Sequence, residues 1–310
     1  MPKKERHHFV PRFYLKGFID PHNEPYIWVY EKGNPKIIKA TIENIAVHKH
    51  YYSFITSSGN KDSETFENAF EKIEDKAALI FQKIKNHENL NNQDRSLFAT
   101  FLALALTRVP NYRKDIERST GESIKKIHMI MASHSTGFKS MIDEYEKDTG
   151  RKIGVSVEEL QKFILDGNKW GVKVNPQFSL SMIGSLVKNI APLFYKMNWS
   201  FLEATNDFKF LTSDNPLFYF DPTHDPRSFY GVGLANKNIE VTFPISKDLT
   251  FLGKWKQSDG YKKLNNNLVK KINRRTIISA SRFVFASQYS HGLNRLVQKY
   301  KDSAPRTIVD

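Results

Sequence analysis

The chain has 310 residues, 40% hydrophobic and 26% charged, and no cysteine. That composition belongs to a globular protein with room for a full core, and it excludes collagen-like, low-complexity and wholly disordered chains. With no cysteine there is no disulfide, no Cys-ligated zinc or iron–sulfur cluster and no thiol nucleophile. The opening MPKKERHH is polar and no apolar run follows it, so no leader is expected and the expected location is cytoplasmic. Leu97 to Val109 is the longest apolar stretch, at about 13 residues too short to span a bilayer.

Charge is the next informative feature. Forty-seven Lys and Arg against 33 Asp and Glu give a formal net charge of +14. Gly253 to Asp310 carries +10 of it and Met1 to Lys16 carries +4, so the middle of the chain is neutral. Basic ends on a neutral body suit a polyanion such as nucleic acid, whose counterions are released on binding. A solubilising surface and an anionic membrane surface are the alternatives.

In chain order, Tyr26–Tyr30 and Lys36–Ala40 read as two strands of a hairpin turned at Lys32-Gly-Asn-Pro35. From Ser63, the expected N-cap, the apolar stripe Phe66, Phe70, Ile73, Ala77, Ile80, Phe81 and Ile84 predicts a helix. Glu67, Glu71 and Glu74 fall on its polar side and read as a solvated face. A second helix is expected from Asn92 through Leu106, apolar on nearly every side and therefore central, with Pro110 ending or kinking it. Helices follow at about Tyr112–Ala132, Val157–Asp166 and Ser179–Tyr195. Strands are predicted at Trp199–Ala204, Phe208–Leu211, Leu217–Phe220, Ile239–Phe243 and Leu249–Leu252, then a basic helix Leu264–Ala280 and a strand Phe283–Ala286. Strands at both ends with helices between them predict an α+β fold rather than a doubly wound sheet. The expected organisation is a single domain over 1–310: an N-terminal motif and hairpin (1–60), a helical core (61–197) and a C-terminal α+β region (198–310).

Several chemistries are missing. There is no GxxxxGK[ST] loop, no GxGxxG after a strand, no GxSxG elbow and no HExxH. Kinase, P-loop, Rossmann, α/β-hydrolase and zincin readings drop away with them.

The most distinctive motif is His7-His8-Phe-Val-Pro11-Arg12-Phe-Tyr14-Leu-Lys-Gly17-Phe18. Leu106-Thr-Arg108-Val-Pro110, Leu211-Thr-Ser-Asp214-Asn215-Pro216 and Val241-Thr-Phe-Pro-Ile-Ser246 accompany it. Together these stretches resemble a bacterial family known only as a domain of unknown function (label 4238). The resemblance spans His7 to at least Ser246 and implies that the stretches meet in one site. His-His-x-Val-Pro is also similar to the first element of the His-Asn-His nucleases. Asn23 sits at a tolerable distance, but His48 and His50 follow a hairpin instead of opening a helix, so the second half does not match.

The candidate catalytic residues are His7, His8, Asp214 and Asn215. Imidazole serves as base, acid or metal ligand near neutral pH, and Pro11 stiffens the backbone beside it. The alternative is that His7 and His8 belong to a basic arm. Asp214 and Asn215, placed after a strand, can supply oxygen ligands to Mg²⁺ or Mn²⁺ with His8 as a further metal ligand, or form an ordinary Asx turn. For nucleic acid the candidates are Arg12, Arg108, Arg113, Lys270, Lys271, Arg274 and Arg275; Arg108 and Arg113 can equally cap helix carbonyls. The reading is a metal-assisted phosphodiesterase acting on nucleic acid, in a setting such as phage defence. The alternatives are a non-catalytic nucleic-acid-binding protein and a protein-binding component of a multi-gene defence system.

Overall fold

The computed structural model describes residues 5–225 and 232–303, and its architecture is α+β, as the sequence predicts. The N-terminal part holds β1 (Arg6–His8), α1 (Arg12–Leu15), β2 (Tyr26–Glu31), β3 (Asn34–Thr41), β4 (Val47–Lys49), β5 (Phe54–Ile55) and β6 (Lys61–Asp62). The helices α2 (Thr65–Lys85), α3 (Asn92–Thr107), α4 (Pro110–Ser133), α5 (Ser135–Thr149), α6 (Val157–Leu165) and α7 (Pro176–Lys196) follow. Strands β7 (Asn198–Glu203), β8 (Thr212–Ser213), β9 (Phe218–Phe220), β10 (Glu240–Pro244), β11 (Leu249–Lys254) and β12 (Gly260–Lys263) come next. The described chain closes with α8 (Asn266–Ser279), β13 (Phe283–Ala286) and α9 (His291–Lys299). Among the described residues no helix is long and apolar enough to cross a membrane.

These residues form two compact units, one of 5–112 with 180–303 and one of 113–179. The larger unit holds both main sheets. One has the order β12-β7-β11-β10-β9, antiparallel except where β12 joins β7. The other, β3-β2-β13-β8, seats β13 between the N-terminal hairpin and the short β8, pairing Phe285 with Val29 and with Thr212. Its core is aromatic: Phe81, Phe98, Phe101, Phe243 and Phe251 are all buried and meet edge to face. The all-round apolar α3 lies in that core, its N-terminus closed by a reciprocal capping box between Asn91 and Asp94. In the smaller unit Ala132, Phe138 and Ile142 are buried, with Leu160 of α6 packed on them.

The structure departs from the sequence reading in a few places. The N-cap of α2 is Glu64, not Ser63, and it makes no side-chain cap; Asp62, at the end of β6, accepts the N–H groups of Glu64 and Thr65 on its Oδ1, each at 2.9 Å. Phe208–Leu211 is not a strand: the Leu211 N–H goes to Asn273 Oδ1 at 3.0 Å, and ladder pairing begins only at Thr212. Helix α3 ends before Pro110 as expected, but α4 opens at Pro110 itself rather than near Tyr112, and there the missing N–H is no loss. Elements β1, α1, β4, β5, β6, α5, β8, β12 and α9 have no counterpart among the elements the sequence predicts. The N-terminal basic stretch is described from Glu5 onward; Met1 to Lys4 lie outside the described residues, as do 304–310 of the basic C-terminal segment.

Candidate active site

Strand β1 pairs antiparallel with β4, placing His7 opposite His48 and His8 opposite Val47. Side chains alternate along a strand, and the two histidines part accordingly. His7 is fully buried; its Nδ1 accepts the Tyr52 N–H at 2.8 Å and its ring stacks on the Tyr52 ring at 5.4 Å. An accepting Nδ1 places the ring proton of neutral His7 on Nε2. Tyr52 donates its own hydroxyl to the His8 carbonyl at 3.3 Å.

His8 turns to the other side and borders a cleft of about 520 Å³. Its Nε2 is buried and makes no hydrogen bond. Burial holds the imidazole below its ordinary 6.5, and Arg12 adds to the effect against the opposing carbonyls of Glu43 and Ile42. Phe9 and Val10 then anchor the chain in the core, and Pro11 caps α1, which buries Tyr14 and Leu15 and leaves Arg12 and Lys16 exposed. Arg6, Arg12 and Lys16 therefore line the cleft beside His8.

The acidic lining comes from α2. Glu67, Glu71, Glu74 and Asp75 all border the cleft, at the i, i+4, i+7 and i+8 spacing that puts four side chains on one helix face. From the sequence alone the three glutamates read as a solvated face, not as site residues. Their helical register was the available signal; what it lacked was the basic wall.

Behind that wall lies Arg108, fully buried after the end of α3. Its Nη1 donates to Glu74 Oε1 at 2.6 Å, and its carbonyl accepts the Tyr51 hydroxyl at 2.9 Å. Burial opposes the guanidinium charge, but Glu74, with Tyr52 and Glu67 behind it, outweighs burial and keeps Arg108 charged. Its Nε and Nη2 are buried with no hydrogen-bond partner. Buried donors without a partner are rare in folded proteins.

Asp214 lies in different surroundings. Its Oδ1 accepts the Ser281 N–H at 2.8 Å, and its Oδ2 accepts those of Arg282 at 2.8 Å and Phe283 at 3.0 Å. Asn215 donates to the Ser279 carbonyl at 2.9 Å, and Ser279 Oγ returns a bond to the Asn215 carbonyl at 3.0 Å. The TSDNP turn thus staples the end of α8 to the start of β13, and neither Asp214 nor Asn215 lines the His8 cleft. His8 and Asp214 therefore do not share a cleft, and the Asp214 oxygens serve backbone N–H groups. Among the described residues no group of three or more His, Asp or Glu side chains is set to hold a metal ion.

The remaining candidate cations divide by place. Arg113 is buried in the smaller unit, donating to Ser179 Oγ at 3.1 Å and to the Pro176 carbonyl at 2.8 Å. Arg275 donates to Glu240 at 2.7 Å and covers the Phe220 ring. Lys271 is exposed, while Lys270 and Arg274 border a separate cavity.

The motif stretches do meet, through packing rather than around one pocket. Tyr14 and Thr212 share a hydrogen bond. Gly17 lies so close to Val241–Ser246 that a Cβ would fall 3.0 Å from the Ile245 carbonyl oxygen, and its own carbonyl accepts the Lys247 N–H at 2.9 Å. A family model described as "Protein of unknown function (DUF4238)" matches residues 6–290. No curated protein and no solved structure matches the chain.

Proposed function

We propose, from the premise that the chain belongs to this family of proteins of unknown function, that it is an enzyme cleaving phosphodiester bonds of nucleic acid in the His8 cleft. The observation that carries the reading is His8 itself: a base held neutral by burial, its Nε2 without a partner, among Arg6, Arg12 and Lys16. A neutral imidazole beside cations suits attack on a phosphate, because it can take a proton while the cations hold the anion. Nε2 takes a proton from the attacking water as its oxygen forms the new O–P bond and the P–O bond to the leaving oxygen breaks. Arg12 and Lys16 neutralise the charge that gathers on the phosphoryl oxygens, and the leaving oxygen is protonated from water. Glu74 is a positioning residue that shares its carboxylate with Arg108, and Glu67 and Glu71 keep the rest of the cleft wall negative.

The test is incubation of purified protein with single- and double-stranded DNA and RNA, in Mg²⁺, in Mn²⁺ and in EDTA, beside His8→Gln and Arg12→Ala. Cleavage lost in His8→Gln, with its melting temperature unchanged, supports the reading. Cleavage that survives His8→Gln moves the site elsewhere. Bound but intact nucleic acid makes the protein a binder, and no effect on any substrate turns the search to protein partners.

A further inference from the structure

Helix α8 carries Lys270, Lys271, Arg274 and Arg275, and helical spacing separates them: Lys270 and Arg274, four residues apart, share one face. That face borders a cavity of about 500 Å³, within the range of small-molecule sites. Its apolar lining includes Phe210 and Leu211, both buried, with Leu293 and Leu296 of α9. Phe208 and Tyr289 bring two aromatic rings to it. The first turn of α9 also borders the space through Ser290 and Gly292, and Ser290 Oγ caps the Leu293 N–H at 3.1 Å.

The polar groups of this lining differ in how far they are already engaged. Asn273 uses its amide on Leu211 and on the Lys209 carbonyl, and Lys209 pairs with Asp248 at 2.8 Å. Asp207 is the acid of the lining and accepts from Asn266 at 3.3 Å. Arg274 makes no ion pair among the described residues, and Lys270 Nζ rests 4.3 Å from the centre of the Phe208 ring. Rings and an apolar floor recognise a planar base, and two side-chain cations beside a helix N-terminus recognise a phosphate.

We propose that this cavity binds a nucleoside monophosphate, the base against Phe208, Tyr289 and the leucines, the phosphate against Lys270 and Arg274. The ligand is either a free nucleotide or the phosphorylated end of a strand, which present the same chemistry. The proposal does not rest on cleavage in the His8 cleft, since the two cavities share no lining residue.

Calorimetric titration of the full chain tests it, with AMP, GMP, CMP and UMP beside their nucleosides, inorganic phosphate and a trinucleotide with and without a 5′-phosphate. The monophosphates bind, and nucleosides and phosphate alone bind at least about tenfold more weakly. Lys270→Ala with Arg274→Ala, both surface changes, weakens binding about tenfold or more, whereas Lys271→Ala and His8→Gln leave it unchanged. Leu293→Trp fills the space and abolishes binding. A 5′-phosphorylated trinucleotide matching AMP identifies strand ends as the ligand; binding of mononucleotides alone identifies a free nucleotide. No binding of any monophosphate, or binding indifferent to the double variant, overturns the proposal. Loss of cleavage in His8→Gln with nucleotide binding intact separates the two sites.

Discussion

Tyr14 and Thr212, 198 positions apart, share a 2.6 Å hydrogen bond between two buried hydroxyls. It ties the HHFVPRFYLKGF stretch to the TSDNP stretch, so the two most distinctive motifs stabilise each other before either contributes chemistry. Leaving one buried hydroxyl without its partner costs about 1–3 kcal/mol, while replacing both by apolar groups costs less than the two single losses together. Tyr14→Phe and Thr212→Val are each expected to lower stability by about that amount, and the double variant by clearly less than their sum. Urea denaturation of the four proteins checks it; strictly additive losses would mean the bond does not couple the motifs.

How much of this was legible in the sequence depends on what sort of contact does the work. The β2–β3 hairpin, the buried α3 and β13 follow from local periodicity, because a turn composition or an apolar run suffices to specify each. Helix α9 was missed because its partners are distant: Gln298 donates to the carbonyls of Glu31 and Asn34 on the β2–β3 hairpin. Asp214 shows the same limit at the level of a site. Ser-Asp-Asn-Pro fits a metal ligand and a turn equally well, and only the three N–H donors of Ser281, Arg282 and Phe283 separate the two. The acidic cleft wall was visible as a helix face, but nothing local places Arg12 across from it.

Arg108 and Glu74 form a buried ion pair with two of the guanidinium donors left over. Removing one partner of such a pair strands a buried charge and costs about 3–5 kcal/mol, whereas replacing both partners by apolar side chains of similar volume is often neutral. Glu74→Ala is therefore expected to lose about 3 kcal/mol, toward the lower end because Glu74 is partly exposed. The double variant Glu74→Leu with Arg108→Met, which replaces both partners, is expected to stay within about 1 kcal/mol of the wild type. Chemical denaturation at pH 7 compares them, and equal losses would mean that the pair itself is a net source of stability.

Asp214 gives the folded state a pH dependence with a definite sign. Burial raises its carboxyl from 3.8 to about 6, against the pull of the Phe283, Ser281 and Arg282 N–H groups and of Lys32. A raised folded-state value means the folded chain holds this proton more tightly than the unfolded one, so the contribution is complete below pH 4 and lost as pH rises through 6. Asp214→Asn removes that titration and also one acceptor for the backbone. It is expected to melt lower than the wild type at both pH 4 and pH 7.5, with the smaller gap at pH 7.5. Parallel melting curves across that range would show that Asp214 stays ionised throughout.

His8 carries the opposite sign, and it is the residue on which the proposed chemistry depends. Burial, aided by Arg12, lowers its pKa below 6.5, so the ring is neutral and able to accept a proton at pH 7. The acid limb of kcat/KM is therefore expected to lie below pH 6.5. Arg12→Ala removes a neighbouring cation and is expected to shift that limb toward higher pH while raising KM. Protonating His8 in the fold also costs more than in the unfolded chain, so stability is unaffected above pH 6.5, falls as pH drops below 6.5 and stops falling once pH is below the folded value. Rate profiles between pH 4.5 and 8 for the wild type, His8→Gln and Arg12→Ala decide it. A limb unmoved by Arg12→Ala would mean that the group titrating in the reaction is not His8.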